Sequence, residues 1–499
     1  MGFNTNTKIS AVGLIAGSLL STSALAGGFD RGGVNTDQLF DNERFSATAS
    51  VTYINPQREQ KNIRRSANNA ASSILAGGVF VASGGTVNVG NPAAVQGFLA
   101  ANPAAAAAIL GNVPAPQTGA SVDANADYWV PRFGYNQSLA DGVNCLFSYS
   151  EPFGADQNNG ANNALSASSV NFSIDTRDYG ATCKYTMAAG ETSVGASQIS
   201  LIGGLSYQEL DGFLRRQSFF DFAAAGIPSL VGVPLEPIVE GGVAAAAGIP
   251  AAAVQTTVTN TAGFGTFDVN GDAVGWRAGL AYEIPAIALR AAIIYHSSYD
   301  YDLTGVQNNT GFGVAANNPN ALVPISATTE IPQALEIKLQ SGISEGTLAF
   351  ANFKWQDWSK IQSVPIVGGV TATAVGLTPA GAAALPTTLA FDALYSDGYT
   401  VNVGVGQVLT ENVSGFAAVT WDRGTSTTIG SQTDTWTLSG GFRYKEGENF
   451  ELNLGGAVGI LTGGFSAGTG GLDQANLVSY TFDDDLLLAA SASVKWKLN

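Results

Sequence analysis

The sequence of 499 residues has one histidine, two cysteines and two methionines, and only 12% of its residues are charged. One histidine and two cysteines leave too few ligands for a zinc, haem or iron–sulfur site, and they exclude most histidine-dependent nucleophilic catalysis. No apolar run approaches the roughly 20 residues of a transmembrane helix, which excludes a helical membrane protein. The formal net charge of −17, without a basic patch, disfavours nucleic-acid binding. We therefore expect no enzyme, no cofactor, no metal site and no nucleic-acid partner.

The N-terminus has the features of an export signal. Lys8 precedes an apolar stretch from Ile9 to Leu20, and Ala24-Leu25-Ala26 matches the small-x-small pattern that signal peptidase recognises. Residues 1–26 are therefore predicted to be a signal peptide that is cleaved after Ala26. The alternative is a buried N-terminal helix, but the segment contains no acidic residue and ends in this cleavage pattern. Export brings the chain to a compartment where disulfides form.

Apolar and polar residues alternate along much of the chain. From Phe45 to Tyr53 every odd position is apolar and every even position is Ser or Thr, and Leu488 to Asn499 follow a similar pattern. A period of two predicts strands with one apolar and one polar face. Fourteen strands are predicted, at 44–58, 127–138, 142–151, 168–187, 191–209, 266–283, 287–304, 325–342, 346–363, 394–409, 413–428, 433–446, 449–465 and 476–498.

The gaps between these strands alternate in length. Every second gap has only two or three residues, whereas the gaps between them are mostly longer, as at 59–126 and 210–265. Short gaps join neighbouring strands in antiparallel hairpins, so the pattern predicts an up-and-down meander. The short gaps lie at 139–141, 188–190, 284–286, 343–345, 410–412 and 447–448.

An even number of strands, tight turns at one end and long loops at the other are typical of bacterial outer-membrane barrels. Backbone polar groups in lipid must all pair, so the sheet must close on itself. We predict an all-β fold, a 14-stranded antiparallel transmembrane β-barrel in the outer membrane of a Gram-negative bacterium, with its apolar face toward lipid. The alternative is a large secreted β-sandwich, but strands of about 10–20 residues exceed the usual length in soluble sheets.

Several short motifs occur in a fixed order along the chain. They resemble motifs of the outer-membrane long-chain fatty-acid transporters of the FadL type, which include aromatic-hydrocarbon channels. The resemblance implies a monomeric barrel with an N-terminal hatch in its lumen, and passive uptake of hydrophobic molecules through a lateral opening near a kinked third strand. The motifs are Phe45-Ser46-Ala47 through Tyr53-Ile54-Asn55-Pro56, Trp129-Val130-Pro131, Trp276/Gly279/Tyr282-Glu283 with Arg290-Ala291 and Tyr295, Ile331-Pro332 through Glu336, and Trp358-Ser359.

The resemblance divides the mature chain into a hatch at residues 27–43 and a barrel at residues 44–499. Two features differ from the family pattern. The hatch is short and lacks an Asn-Pro-Ala element, and the chain ends in Trp496-Lys497-Leu498-Asn499 instead of a terminal aromatic residue. Trp496 is the candidate to replace that aromatic residue in barrel assembly.

Three long loops, at 66–121, 219–262 and 364–390, are rich in Ala, Gly, Val and Leu. In the first of them, Asn91-Pro92 and Asn102-Pro103 place a capping residue before a helix-starting proline, which predicts short apolar helices. Such helices could form an apolar capture surface for acyl chains. The alternative is that they pack on one another as a lid.

The predicted third strand ends in Glu151-Pro152-Phe153-Gly154. Pro152 has no backbone donor and Gly154 frees the chain, so the hydrogen-bond ladder should break here. By resemblance, this break is the lateral gate through which the ligand leaves. The alternative is an ordinary strand end that enters an extracellular loop.

A fatty-acid carboxylate would need a cation, and the planar guanidinium of arginine binds both of its oxygens. Arg215 and Arg216 lie near the position where the resemblance places a ligand-binding arginine, and Lys360 is the nearest substitute for the family's lysine. Strand parity also puts several cations in the lumen, where Arg290 is a further ligand candidate. Their alternative role is to pair with inward acids such as Glu283 and Glu336. These cations are Arg277, Arg290, Lys338 and Arg443.

The same parity places Leu348 and Phe350 in the lumen as candidates for an apolar pocket. Cys145 and Cys183 lie on adjacent predicted strands, so a disulfide between them is plausible, although parity alone does not fix the register. The only histidine, His296, is expected to line the upper lumen as a neutral donor. The acids at 483–485, with Asp300 and Asp302, could bridge lipopolysaccharide through divalent ions or form a solvated rim.

These observations favour passive uptake of a hydrophobic molecule, with long-chain fatty acids as the first candidate. The molecule would be captured at the loops, held in a lumenal pocket and released sideways into outer-membrane lipid near strand three. A structural or surface-interaction barrel with a filled lumen is the alternative from another class. A porin for polar solutes is disfavoured because a plugged lumen and apolar loops do not suit hydrated ions.

Overall fold

The protein is described from a computed structural model. Helices are few among the described residues: one α-helix, α1 (Pro92–Ala101), and short 3-10 helices at Thr36–Phe40, Pro285–Ile287 and Trp358–Lys360. No helix in the part of the chain that the structure describes is both long and apolar enough to cross a membrane. The described residues are 28–41, 43–65, 86, 92–104, 121–123, 127–161, 163, 165, 166, 169–217, 264–308, 310, 321–368, 388–467 and 478–498.

Strands make up most of the described chain. They are β1 (Phe45–Pro56), β2 (Glu59–Arg65), β3 (Val122–Asp123), β4 (Tyr128–Ala140), β5 (Val143–Ser150), β6 (Gly154–Asn158), β7 (Asn171–Thr192), β8 (Gly195–Gln217), β9 (Phe264–Ile284), β10 (Leu289–His296), β11 (Tyr299–Asn308), β12 (Leu322–Ile331), β13 (Ala334–Ser344), β14 (Thr347–Gln356), β15 (Ser363–Gly368), β16 (Thr388–Asp392), β17 (Gly398–Val408), β18 (Val413–Arg423), β19 (Thr435–Glu446), β20 (Phe450–Leu461), β21 (Gly464–Ser466), β22 (Val478–Phe482) and β23 (Asp485–Leu498).

Nineteen of these strands form one sheet that closes on itself, because β1 pairs antiparallel with both β23 and β4. Five crossings of the wall are each split into two strands by a short break: β5/β6, β10/β11, β12/β13, β14/β15 and β16/β17. With these pairs joined, the sheet is a closed barrel of fourteen crossings. The predicted fold is therefore confirmed.

Alternating side chains give the wall its two faces. On β8 and β9, apolar residues such as Leu205, Val274 and Trp276 are exposed on the outside. Ser200 and Gln208, which point the other way, are fully buried in the lumen. An apolar exterior and a polar interior are the arrangement that a bilayer requires of a barrel.

The parts of the chain beyond the barrel ends are only partly described. A small four-stranded sheet of β21, β22, β2 and β3 continues the wall on the long-loop side. α1 begins at Pro92, as the Asn91-Pro92 pattern predicted. The predicted signal peptide, the loop at 219–262, most of the loop at 364–390 and most of the helix predicted after Asn102 lie outside the described residues.

Cys145 on β5 faces Cys183 on β7 in the antiparallel register, and the two form a disulfide with an S–S distance of 2.05 Å. The disulfide joins two neighbouring crossings of the wall near their short-turn ends, and it leaves no free cysteine in the described chain.

Candidate functional site

The wall is discontinuous between the second and third crossings. β4 pairs with β5 only as far as Arg132 and Ser150, and β6 then pairs with β7. The remaining part of β4, from Tyr128 to Pro131, pairs with β1 alone. Pro152 has no backbone N–H to continue a ladder. A gap therefore opens between β4 and the segment Glu151–Gly154.

The hatch covers this gap from inside. Asp30 forms an isolated antiparallel bridge with Phe153. The backbone N–H of Arg31 donates to the carbonyl of Pro152 at 2.7 Å, and Gly154 N–H donates to the carbonyl of Phe29 at 2.7 Å. The hatch thus supplies the backbone partners that β4 does not, and it satisfies polar groups that would otherwise face an apolar environment.

Arg31 fixes the hatch at the gap. Its guanidinium lies 2.5 Å from a carboxylate oxygen of Asp156 and 3.1 Å from one of Asp175, and it stacks 4.3 Å above the ring of Tyr128. Arg132 donates to the carbonyl of Arg31 at 2.7 Å. Charge-assisted hydrogen bonds of this kind are stronger than neutral ones, and the side chain of Arg31 is nearly fully buried.

Two cavities lie in the extracellular half of the lumen and adjoin each other. The larger, of about 250 Å³, has a mixed polar and apolar lining, and the smaller, of about 120 Å³, presents an apolar surface. Phe29, Phe172, Leu214 and Phe391 line both cavities. Other residues of the larger cavity are Arg58, Asp156, Arg216, Tyr395 and Gln432, and others of the smaller are Phe153, Ile174, Leu210, Phe267, Val269, Leu303, Ala327, Ile331, Ile361 and Ile366.

Arg215 and Arg216 are adjacent in sequence but differ in position. Arg216 lines the larger cavity, with its guanidinium carbon 5.9 Å from the ring centre of the buried Phe267. Arg215 points to the other side of β8, 4.2 Å from the ring centre of Phe264, and lines neither cavity. Of the two arginines, Arg216 is therefore the one that can meet a ligand inside the barrel.

The rest of the hatch is locked into the periplasmic half of the lumen by ion pairs. Asp37 lies 2.6 Å from Arg290 and 3.4 Å from Lys338, and Asp41 lies 2.5 Å from Lys495. Nearer the gap, Asp30 pairs with Lys354. Burial raises the pKa of Asp37, but Lys338 and Arg290 outweigh that effect and hold the pKa of Asp37 below its ordinary value.

Residues 60–455 match the model of a family described as outer membrane protein transport protein (OMPP1/FadL/TodX). The chain belongs to this family. As a FadL/TodX-type protein it is an outer-membrane channel for hydrophobic compounds and not an enzyme. Membership in this family favours transport over the surface-interaction barrel.

Solved structures of the FadL/TodX type have the same fold. A Pseudomonas aeruginosa FadL homologue superimposes with a TM-score of 0.63 at 14% identity over 97% of both chains. The Ralstonia pickettii toluene transporter TbuX gives a TM-score of 0.51 at 11% identity, over 97% of this chain and 99% of that one. At these identities the likeness supports the fold alone. A comparison with curated proteins found no match.

Three of the predicted ligand-binding positions do not reach the cavities of this FadL-type barrel. Leu348 and Phe350 do face the lumen, but they pack with Phe416 and Ala418 near the periplasmic turns. Arg290 is held by Asp37 and by Gln340. These three residues therefore line neither of the two cavities, because parity fixes the face of a strand and not the height along it.

Lys360, the fourth of these candidates, also lines neither cavity. It ends the 3-10 helix Trp358–Lys360, where its side chain is exposed and lines a cleft with Asp300, Asp302 and Glu330. The exposed side chains of Asp300 and Asp302 show that this cleft faces outward. Lys360 is therefore not a lumenal ligand residue.

The other lumenal cations follow the predicted pairing role only in part. Lys338 pairs with Glu336 at 3.4 Å, as expected, and His296 lies 3.7 Å from the same carboxylate. Arg277 instead faces Asp178, and Arg443 pairs with Glu451. All of these side chains are at least partly buried inside the wall.

The hatch residues that cover the gap were missed by sequence reasoning. Phe29, Asp30, Arg31 and Asp37 belong to no recognised motif. The one available signal is charge density: Asp30, Arg31, Asp37 and Asp41 crowd into a short segment of a chain that is otherwise poor in charge. In a membrane protein, such charges are expensive unless they are paired, so a cluster of them indicates partners elsewhere in the fold.

Proposed function

We propose that the protein takes up long-chain fatty acids by facilitated diffusion and releases them sideways at the gap beside Glu151–Gly154. The observation that carries this proposal is the pair of adjoining cavities. One contains the guanidinium of Arg216 and the other is apolar, and the apolar cavity ends at Phe29 and Phe153, the residues that close the gap.

An amphipathic ligand matches this arrangement. A carboxylate in the larger cavity can accept hydrogen bonds from Arg216, which binds two oxygens in one plane. The acyl chain can then extend past Phe172 and Leu214 into the smaller cavity, where each buried CH₂ contributes about 0.8 kcal/mol. The apolar loops outside the barrel would supply the first capture surface.

A lateral exit is supported by the position of the hatch, which blocks the direct path through the lumen to the periplasm. Below the cavities, the hatch fills the lumen and is held by Asp30, Asp37 and Asp41, each of which pairs with a cation of the wall. At the gap, a shift of Phe29 to Gly33 would suffice to open the apolar cavity toward the membrane. An apolar molecule that leaves this way avoids the aqueous periplasmic end of the barrel.

The proposed ligand can be tested by separating the contribution of its carboxylate from that of its acyl chain. Arg216→Ala removes the proposed carboxylate partner, and Arg215→Ala is the matched control on the outer side of the same strand. A hydrogen bond to a charged group is worth about 1.5–3 kcal/mol, so oleate affinity should fall about tenfold or more in Arg216→Ala and stay unchanged in Arg215→Ala. Hexadecane and toluene, which carry no charge, should bind equally to all three proteins.

Binding by the purified proteins and uptake of labelled oleate in a strain without other such channels are the measurements. Equal losses for oleate and hexadecane in Arg216→Ala would contradict a carboxylate role for this residue. Uptake of toluene without oleate by the unmodified protein would replace the fatty acid with a neutral aromatic hydrocarbon as the ligand.

A further inference from the structure

The wall has a second discontinuity, between the eighth and ninth crossings. β13 and β14 pair along their whole length, but β12 and β15 pair only from Ile325 to Ala327. Between these ladders, the segments 328–333 and 357–365 face each other. Hydrogen bonds across this stretch include Asp357 N–H to the carbonyl of Gln333, at 3.1 Å, and two side-chain bonds, from Gln356 to Pro332 and from Gln333 to Asp357.

Open space lies on both sides of this second break. On the outside is the cleft lined by Lys360, of about 360 Å³, and on the inside is the apolar cavity. The two share Thr329, Glu330, Ile361 and Val364 as lining residues. A single layer of side chains therefore separates the apolar cavity from the exterior at this point of the barrel.

The same aromatic residues close both breaks. The 3-10 helix that starts at Trp358 turns this side chain inward, where it is fully buried. Its ring lies 5.8 Å from Phe29, 6.1 Å from Phe153 and 6.2 Å from Tyr395, in edge-on contacts. Phe29 of the hatch thus supports the closure at Phe153 and the closure at Trp358 together.

We propose that the break between 328–333 and 357–365 is a second lateral portal, which passes neutral hydrophobic molecules between the apolar cavity and the outer leaflet. The inference rests on the proposed function of the cavity. Charge sets the ligand class: three carboxylates, of Asp300, Asp302 and Glu330, surround the mouth beside the single cation Lys360. Such a mouth repels a fatty-acid anion but not an alkane or an arene. At the first break, the guanidinium groups of Arg31 and Arg132 lie among the carboxylates of Asp156 and Asp175, so that break carries charges of both signs.

The second portal can be closed with a covalent bridge. Glu330→Cys with Lys360→Cys places two thiols at the mouth, and a short bis-maleimide can join them on intact cells. The native cysteines are already paired, so the introduced thiols are the ones that react. The matched control is Ser326→Cys with Val367→Cys. These two exposed residues face each other where β12 and β15 already pair, so a bridge between them closes nothing.

Cross-linking Glu330→Cys/Lys360→Cys should lower the uptake of labelled hexadecane, whereas oleate uptake and both uptakes in the cross-linked control should persist. The unlinked form of each double variant is its own reference, which separates closure from misfolding. Unchanged hexadecane uptake after cross-linking, or an equal fall in the control pair, would overturn the second portal and leave the proposed function intact. If the unmodified protein takes up neither compound, the proposed function fails as well.

Discussion

The two halves of the lumen are built by the same strands but are filled in opposite ways. The periplasmic half contains the hatch and its ion pairs, such as those of Asp37 with Arg290 and Lys338. The extracellular half contains cavities walled by residues such as Phe172, Leu210 and Phe391. Charge pairing fixes the position of a segment, whereas apolar space accepts a guest without specifying its shape. Ligand can therefore enter the extracellular half of this barrel, whereas the hatch blocks its passage through the periplasmic half.

The largest effect should come from removing a carboxylate that pairs the hatch with the wall in the periplasmic half of the lumen. Asp37→Asn keeps the shape of the side chain but leaves Arg290 and Lys338 without their shared carboxylate inside the lumen. Removing one partner of a buried pair costs about 3–5 kcal/mol, so the population with an undocked hatch should rise about 100-fold or more. The measurement is conductance in a planar bilayer, which should change from silent to frequent openings.

The control for Asp37→Asn is an ion pair of the same type at the surface. Asp211 pairs with Arg177 at 2.5 Å on the outside of the barrel, where both side chains are about half exposed. Exposed pairs contribute about 0–1 kcal/mol, so Asp211→Asn should leave conductance at the level of the unmodified protein. Openings as frequent as those of Asp37→Asn would show that the hatch does not depend on its buried pairs.

A smaller effect is expected from filling part of the apolar cavity in the extracellular half of the lumen. Ala327 lines the smaller cavity, so Ala327→Phe would occupy space that the acyl chain is proposed to use. Displacing a few methylenes at about 0.8 kcal/mol each should weaken oleate and hexadecane binding by about 2–3 kcal/mol. Isothermal titration of purified protein measures this loss. Ala278→Phe, at an exposed position on the lipid side, is the control and should bind as the unmodified protein does.

The smallest effect is the pH dependence of hatch docking. The pKa of Asp37 is lower in the docked hatch than in a free one, so docking is fully supported above the ordinary pKa of about 4. As the pH falls below this value and through the lower docked pKa, Asp37 becomes protonated and its contribution is lost. Conductance should therefore stay silent from pH 7 to pH 5 and begin to show openings below pH 4. Asp37→Asn, which has no carboxyl here, should lack this step.

The sequence was sufficient for the barrel because strand periodicity and turn length are local properties. Alternation around Phe45 or Leu488 depends on the membrane alone, and short gaps force neighbours to pair, so fourteen crossings and their two faces could be predicted. The proline of Glu151-Pro152-Phe153-Gly154 indicated the gap beside β4 for the same reason. Its lack of a backbone N–H is a local property, which the sequence shows at a single residue.

The contents of the lumen could not be predicted in this way. Arg290 and Asp37 are 253 positions apart, and nothing local to either residue specifies the other. The position of Lys360 could not be predicted because the chain leaves strand geometry at Trp358, where counting positions no longer tells inside from outside. The partner of each lumenal charge, the height of a side chain along the barrel and the breaks that contain no proline all depend on how the whole wall closes.

The disulfide between Cys145 and Cys183 has a consequence for a wall that yields sideways. A seam held by hydrogen bonds alone tends to unzip from any point where it is opened. Here the disulfide lies at Cys145, six positions before Glu151 on the same crossing and closer to the periplasmic end. It joins the third crossing to the fourth, on the side away from the gap, so the third crossing stays attached to the fourth when its upper end lies apart from β4. In cells that cannot oxidise periplasmic thiols, this covalent link would be missing, and hydrogen bonds alone would hold the third crossing to the fourth.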